Sequence, residues 1–177
     1  MAIFQGDRVR LNVCCGTRIR EGWINIDVAA LGILKPEIIA DARSIPLDDG
    51  CADEIMCIHG IEHFYKWEAA ALAVEWMRLL RSGGLLVIEC PDIFKCCENL
   101  VSGYASSGKH PDQMSYWGIY GDPQESNPFM GHKWGYTPKT LRHFLKMHGF
   151  VNIRDEETQW HPAGRVRRDM RITARKP

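Results

Sequence analysis

Short runs rich in β-branched residues alternate along this chain with longer runs of helical period, and that alternation confines the fold to a sheet with crossover connections. Strands are predicted at Val9–Val13, Ile24–Asp27, Ile38–Ala40, Glu54–Ile58 and Leu85–Glu89. A helix is predicted over Trp67–Arg81, where Leu72, Trp76, Leu79 and Leu80 share one face and Ser82-Gly83-Gly84 makes the stop. A second takes Thr137 as N-cap, Pro138 as its first residue, Leu141, Phe144 and Leu145 as its apolar stripe, and Gly149 as its end. The last two strands, Val151–Thr158 and Met170–Arg175, flank a turn-rich stretch with Pro162 and Gly164 and should pair as an antiparallel hairpin. The expected fold is therefore α/β: one doubly wound, mostly parallel sheet ending in that hairpin. At 177 residues it forms a single domain, 1–177, in which the aperiodic segment 102–136 reads as a lid over an acceptor.

Composition narrows the partners. Lys and Arg together number 22, as do Asp and Glu, so no global field draws the chain to nucleic acid or to an anionic membrane, and neither is expected as a partner. One local patch stands out: Arg165, Arg167, Arg168, Arg171, Arg175 and Lys176, either a solvated hairpin or a phosphate-binding surface. The seven cysteines include the adjacent pairs Cys14–Cys15 and Cys96–Cys97, which is not the spacing of a secreted disulfide framework, and there is no CxxC pair to hold zinc. No apolar run is long enough to span a bilayer, and a cytoplasmic location is expected.

Ligands of doubly wound sheets sit beyond the carboxyl ends of the strands, so the closing residues matter most. The first strand runs into Cys14-Cys15-Gly16, a turn that lets backbone approach a ligand. Asp27 closes the second strand, where a carboxylate can accept hydrogen bonds from a ribose diol; Asp41 closes the third, His59 the fourth and Cys90-Pro91-Asp92 the fifth. A graded series of this kind along one edge suits a nucleoside-containing cofactor.

Five segments, LNVCCGTRIREGWINID, ADARSIPL, EIMCIHGIEHF, LLRSGGLLVIECPD and HKWGYTPKTLRHFLKMHGF, resemble the successive motifs of small class I S-adenosylmethionine (SAM)-dependent methyltransferases, of the kind found near bacterial sugar- and polysaccharide-modifying genes. The similarity covers Leu11 to Phe150, and the Ala-Arg-Lys-Pro ending is similar to the family's last strand. It implies a Rossmann-like sheet, SAM as cofactor, and a small-molecule or glycan acceptor. It also implies that Gly16 and its neighbour Cys14 meet the methionine arm, Asp27 the ribose, Asp41 and Ala42 the adenine, and His59 the wall beside the sulfonium. Two departures are visible. Cys14 stands where the family carries glycine, and only about ten residues separate the first two strands, fewer than the dozen or so a parallel crossover helix needs. That helix is expected to shrink to a turn, leaving a sheet face for a second copy in a homodimer to cover.

If the acceptor is a hydroxyl, its proton must leave, and His59, His63 or His132 is the expected base, with Lys133 and Tyr136 positioning the acceptor and Asp92 lining its pocket. Each histidine also has a plain structural reading. His59-Gly-Ile-Glu62-His63 is a literal HxxEH, the pattern of inverted zinc peptidases, but it follows a strand where that site needs a helix. A milder alternative has Glu62, His63 and His132 holding a divalent ion that orients acceptor hydroxyls. The rival classes are a NAD-dependent oxidoreductase, which also uses a glycine turn and an acidic strand end but normally a full GxGxxG, and a non-catalytic scaffold that kept the fold.

Overall fold

A computed structural model describes residues 8–30, 33, 35–103, 111–122, 128–160 and 168–177. Its centre is a seven-stranded sheet of β1 (Arg10–Val13), β2 (Ile24–Asp27), β3 (Ile38–Ile39), β4 (Ala52–Ile58), β5 (Leu80–Pro91), β6 (Val151–Glu156) and β7 (Asp169–Arg175). The order across the sheet is β3-β2-β1-β4-β5-β7-β6, and β7 alone runs antiparallel to its neighbours. The doubly wound sheet and the closing β6–β7 pair are as expected. Chain order reverses between β1 and β4, so the crevice of such a sheet lies at their carboxyl ends.

One face is covered by α1 (Lys66–Leu79) and α4 (Pro138–Met147). Leu72, Trp76 and Leu79 of α1, with Leu141 and Leu145 of α4, pack with Leu11, Val13, Ile26, Ile55, Cys57, Leu86 and Ile88 in one core. Thr137 caps α4, its Oγ1 accepting from the Thr140 N–H at 3.2 Å, as its sequence signature requires. Ser82-Gly83-Gly84 does not act as a plain helix stop. Leu80 already pairs with Ala52, residues 81–84 bulge with Gly83 at φ +74°, and regular pairing resumes at Leu85.

No α-helix joins β1 to β2, which bears out the predicted shrinkage. A pair of buried amides holds the connection instead. Asn12 Nδ2 donates to Asn25 Oδ1 at 2.8 Å and to the Arg18 carbonyl at 2.9 Å, and Asn25 exchanges bonds with the Arg20 backbone at 2.8 and 3.0 Å. Backbone groups that a helix would pair internally are thus satisfied by side chains of the sheet itself. On that face Trp23 and Trp160 pack near Met56, Ile58 and Val87. Arg10, Arg18 and Arg20 lie over the two indoles, with guanidinium-to-ring distances of 4.9–5.8 Å. Met56, Ile58 and Val87 on this face are thus covered from within the chain.

α2 (Ile93–Ser102) starts at the N-cap Asp92 and leads into the predicted lid, which contains more regular structure than its sequence period shows: α3 spans Pro111–Tyr120 and a 3-10 turn covers Pro128–Met130. Pro162, Gly164, Arg165 and Arg167 lie outside the described residues. Among the described residues no helix is long and apolar enough to cross a membrane, and all seven cysteines are free thiols.

Candidate functional site

The tips of β1, β2, β3 and β4 meet along a cleft of about 830 Å³, its open mouth included, whose walls include Cys14, Gly16, Asp27, Asp41, Ala42 and His59. All six residues expected to meet the cofactor thus line one space.

The tip of β1 is tied to the tip of β2. Gly16 N–H donates to Asp27 Oδ2 at 2.8 Å, and Ala29 N–H reaches Oδ1 at 3.3 Å. Gly16 has φ +53°, and a Cβ built on it would meet nothing within 4 Å, so the turn leaves open space where a side chain would stand. Asp41 is held differently from expectation. Arg43 grips its carboxylate through Nε at 2.9 Å and Nη2 at 2.6 Å, and gives a further bond from its own N–H. These bonds hold the Asp41 carboxyl below the usual range. Arg43 is in turn anchored by Glu68 at 2.7 Å and lies over the Phe64 ring. Arg43, Phe64 and Glu68 are cleft residues that strand-end reasoning missed, because they enter from a loop and from the start of α1.

Cys14 and His59, on adjacent strand tips, both take left-handed backbone conformations, φ +57° and +50°. Such strain in non-glycine residues is stored mostly at functional sites. Gly60 makes room for them: a Cβ there would stand 2.6 Å from Cys57 Sγ and 2.7 Å from Cys14 Cβ. The glycine missing from the first turn has, in effect, its counterpart across the crevice.

What faces each ring nitrogen tells the three predicted histidines apart. His59 places Nδ1 3.1 Å from Glu62 Oε1 and Nε2 3.5 Å from Asp169 Oδ2. Burial opposes its charge, but the two carboxylates outweigh burial and raise its pKa to about 10. The two carboxylates thus favour the charged ring at His59, which would hold its proton more tightly than a base poised near neutral pH. His63 and His132 instead direct Nδ1 at backbone carbonyls, Gly131 at 3.3 Å and Gly118 at 3.0 Å. A carbonyl only accepts, so each neutral ring carries its proton on Nδ1 and keeps the lone pair on Nε2. Burial pushes His132 down toward that neutral form. Only His63 of the two lines the cleft; the rings meet edge to face with centroids 4.9 Å apart. The segment after the 3-10 turn is clamped here, since Lys133 and Trp134 N–H groups donate to the Glu62 carbonyl at 2.8 and 3.2 Å.

Other expected site residues lie elsewhere. Tyr136 is 3% exposed within the main core and does not reach the cleft. Asp92 is buried as the N-cap of α2, accepting from Phe94 N–H at 3.1 Å. Lys133 does line the cleft. HxxEH forms no peptidase site: it is a strand end and a single 3-10 turn, Ile61–His63, and its first histidine faces carboxylates. The described basic residues near the C-terminus are engaged within the fold. Arg171 pairs with buried Glu89 at 2.9 Å, while Arg175 and Lys176 donate to the Gly83 and Leu80 carbonyls at 2.7 Å.

Residues 21–88 match the family described as a methyltransferase domain. No protein of curated function matches the sequence. Among similar solved structures is a SAM-dependent methyltransferase from Archaeoglobus fulgidus, 17% identical, with a TM-score of 0.62 over 98% of this chain and 88% of that one. Another, from Methanosarcina mazei, is 16% identical, with a TM-score of 0.62 over 98% and 94%. The phosphoethanolamine N-methyltransferase 2 of Haemonchus contortus, solved in complex with S-adenosyl-L-methionine, is 10% identical, with a TM-score of 0.59 over 96% of this chain and 49% of that one. At such identities the likeness is one of fold.

Proposed function

We propose that the chain is a class I SAM-dependent methyltransferase whose methyl acceptor is a hydroxyl group of a sugar or another small molecule. The observation that carries this reading is the wall of the cleft beside His59, where His63 lines the space and Glu62 and His132 stand behind it, both imidazoles keeping their Nε2 lone pairs. A hydroxyl loses a proton on methylation, and such a wall is chemistry for removing one.

The residues present fit the cofactor. Gly16 leaves the space a Cβ would fill, for the methionine arm. Asp27 is 8% exposed at the cleft edge, its carboxylate fixed by two backbone N–H groups and able to accept further bonds from a ribose diol. Ala42 floors the adenine end, and Asp41 is locked there by Arg43. When bound, SAM supplies an electrophilic methyl group on a sulfonium.

This chain's own contribution is alignment. Displacement at a methyl carbon needs the acceptor oxygen in line with the breaking bond, and holding that geometry removes a large part of the barrier. The oxygen–carbon bond forms as the carbon–sulfur bond breaks, its electron pair returning to sulfur, and the hydroxyl proton leaves at the wall of His63 and His132. His59 acts as a positioning residue, its charge holding Glu62 in place from one side. Lys133 and the half-exposed Phe129, both on the cleft, orient the acceptor from the lid.

Calorimetric titration with SAM, its demethylated product and NAD, followed by product formation over a panel of sugars, nucleosides and small alcohols, tests the reading. Binding of the first two ligands only, with turnover on a hydroxyl compound, is the expected result. NAD binding, or turnover confined to amines, would overturn it.

A further inference from the structure

Glu62, His63 and His132 are drawn together from two separate parts of the chain, and the geometry points to a binding site for one divalent transition-metal ion on these three side chains. Their ligand atoms, one per residue, all lie within 4.8 Å of one another, and His132 Nε2 stands 4.0 Å from Glu62 Oε1. Two ligands of one zinc-like ion, each bonded at about 2.0–2.2 Å, can be no more than roughly 4.4 Å apart, so small side-chain rotations close the site.

A second observation supports it. Glu62 is 2% exposed, and while Oε1 faces His59, Oε2 is buried with no hydrogen-bond partner among the described residues. A buried carboxylate oxygen without a donor is costly, and a cation is what it lacks. The outer contacts are those of metal-binding histidines as well. Each Nδ1 is tied to a backbone carbonyl, which fixes the tautomer and aims Nε2 outward. Two imidazoles and one carboxylate suit zinc, cobalt(II), iron(II) or manganese(II) better than magnesium or calcium, which prefer all-oxygen shells.

The site rests on the reading above and states how its wall handles the proton. Three protein ligands leave coordination positions open, and His63 already lines the cleft. A hydroxyl bound there has its pKa lowered by the ion, so its proton passes to water and neither imidazole has to act as a free base.

Chelator-stripped protein titrated with cobalt(II), read by visible absorption and by calorimetry, tests this without knowledge of the acceptor. The informative variants are His63→Asn and His132→Asn, because the Asn amide can keep the bond to the backbone carbonyl while Nε2 is removed. His148→Asn is the control, since its ring contacts the Phe144 carbonyl on α4. We expect one tightly bound equivalent, weakened at least thirtyfold in the first two variants and unchanged in the third. Absence of stoichiometric binding, or binding that survives both variants, would overturn the site. Binding of the demethylated cofactor, measured on the same samples, is expected to persist in all of them; its loss in the wild type would instead sink the methyltransferase reading.

Discussion

The Gly16 N–H donates to Asp27 Oδ2 at 2.8 Å, so one hydrogen bond joins the glycine turn to the carboxylate at the edge of the cleft. Position and charge at Asp27 are therefore linked. On the proposed function, Asp27→Ala removes the acceptor of the ribose hydroxyls, and it also releases the turn. Two charge-assisted bonds together represent about 2–4 kcal/mol, or roughly a 30- to 700-fold loss of affinity for the demethylated cofactor by calorimetry. Asp27→Asn keeps an oxygen for Gly16 and is expected to lose less.

Cys14 and Gly60 form the second coupled pair. Gly60 has φ −128°, which alanine can adopt, so the objection to a side chain there is steric: Cys57 Sγ and Cys14 Cβ stand 2.6 and 2.7 Å from the new Cβ. Gly60→Ala should destabilise by about 1–3 kcal/mol, as overpacking does. Cys14→Gly, which relieves φ +57° and empties half of the contact, is expected to be neutral or stabilising by itself and to rescue part of the loss in the double variant. Melting temperatures of the four proteins check this; strict additivity would refute the coupling.

The strands and α4 were legible because their signals are local. Ile24–Asp27 shows β-branched residues closing on a carboxylate, and Thr137-Pro138 with Gly149 brackets a helix by its caps. Helix α3 was not legible, since Pro111–Tyr120 carries Gly118 and three aromatics with no apolar stripe. In the candidate site, the strand-end residues were visible from spacing, whereas Asp169 was not: it reaches His59 from β7, and nothing in sequence says that two strands so distant in the chain converge. The same gap hid the fates of Tyr136 and Asp92, whose environments are set by packing alone.

Glu89 is fully buried, yet it holds the far side of the sheet together. Its carboxylate accepts from Gln159 N–H at 3.0 Å, Trp160 N–H at 2.9 Å and Arg171 Nη1 at 2.9 Å. Glu89→Ala strands a largely buried guanidinium and frees the indole that covers Met56 and Val87, so a loss of about 3–5 kcal/mol is expected in denaturant unfolding. Trp160 emission should shift to the red before global unfolding. Should Glu89→Ala unfold like the wild type, the Glu89–Arg171 pair does not anchor this face.

Acid sensitivity should trace to Glu75 on α1, which accepts from Ile45 N–H at 2.7 Å and from Arg78 at 2.7 and 2.8 Å, while Arg78 binds the Ile45 and Leu47 carbonyls. The pair pins the loop that carries Asp41 and Arg43. Arg78 is the main cause of the lowered Glu75 pKa in the folded chain. The sign follows by linkage: a depressed folded pKa contributes stability that is fully present above the ordinary glutamate value of about 4.3 and is lost as pH falls through the folded value. Wild-type melting temperature should therefore drop steeply below about pH 4.3, where Glu75 begins to take up its proton on unfolding. Glu75→Gln, with no charge to titrate, should start from a lower plateau by about 1.5–3 kcal/mol and show a shallower acid slope. Parallel slopes for the two proteins would assign the acid transition to other carboxylates.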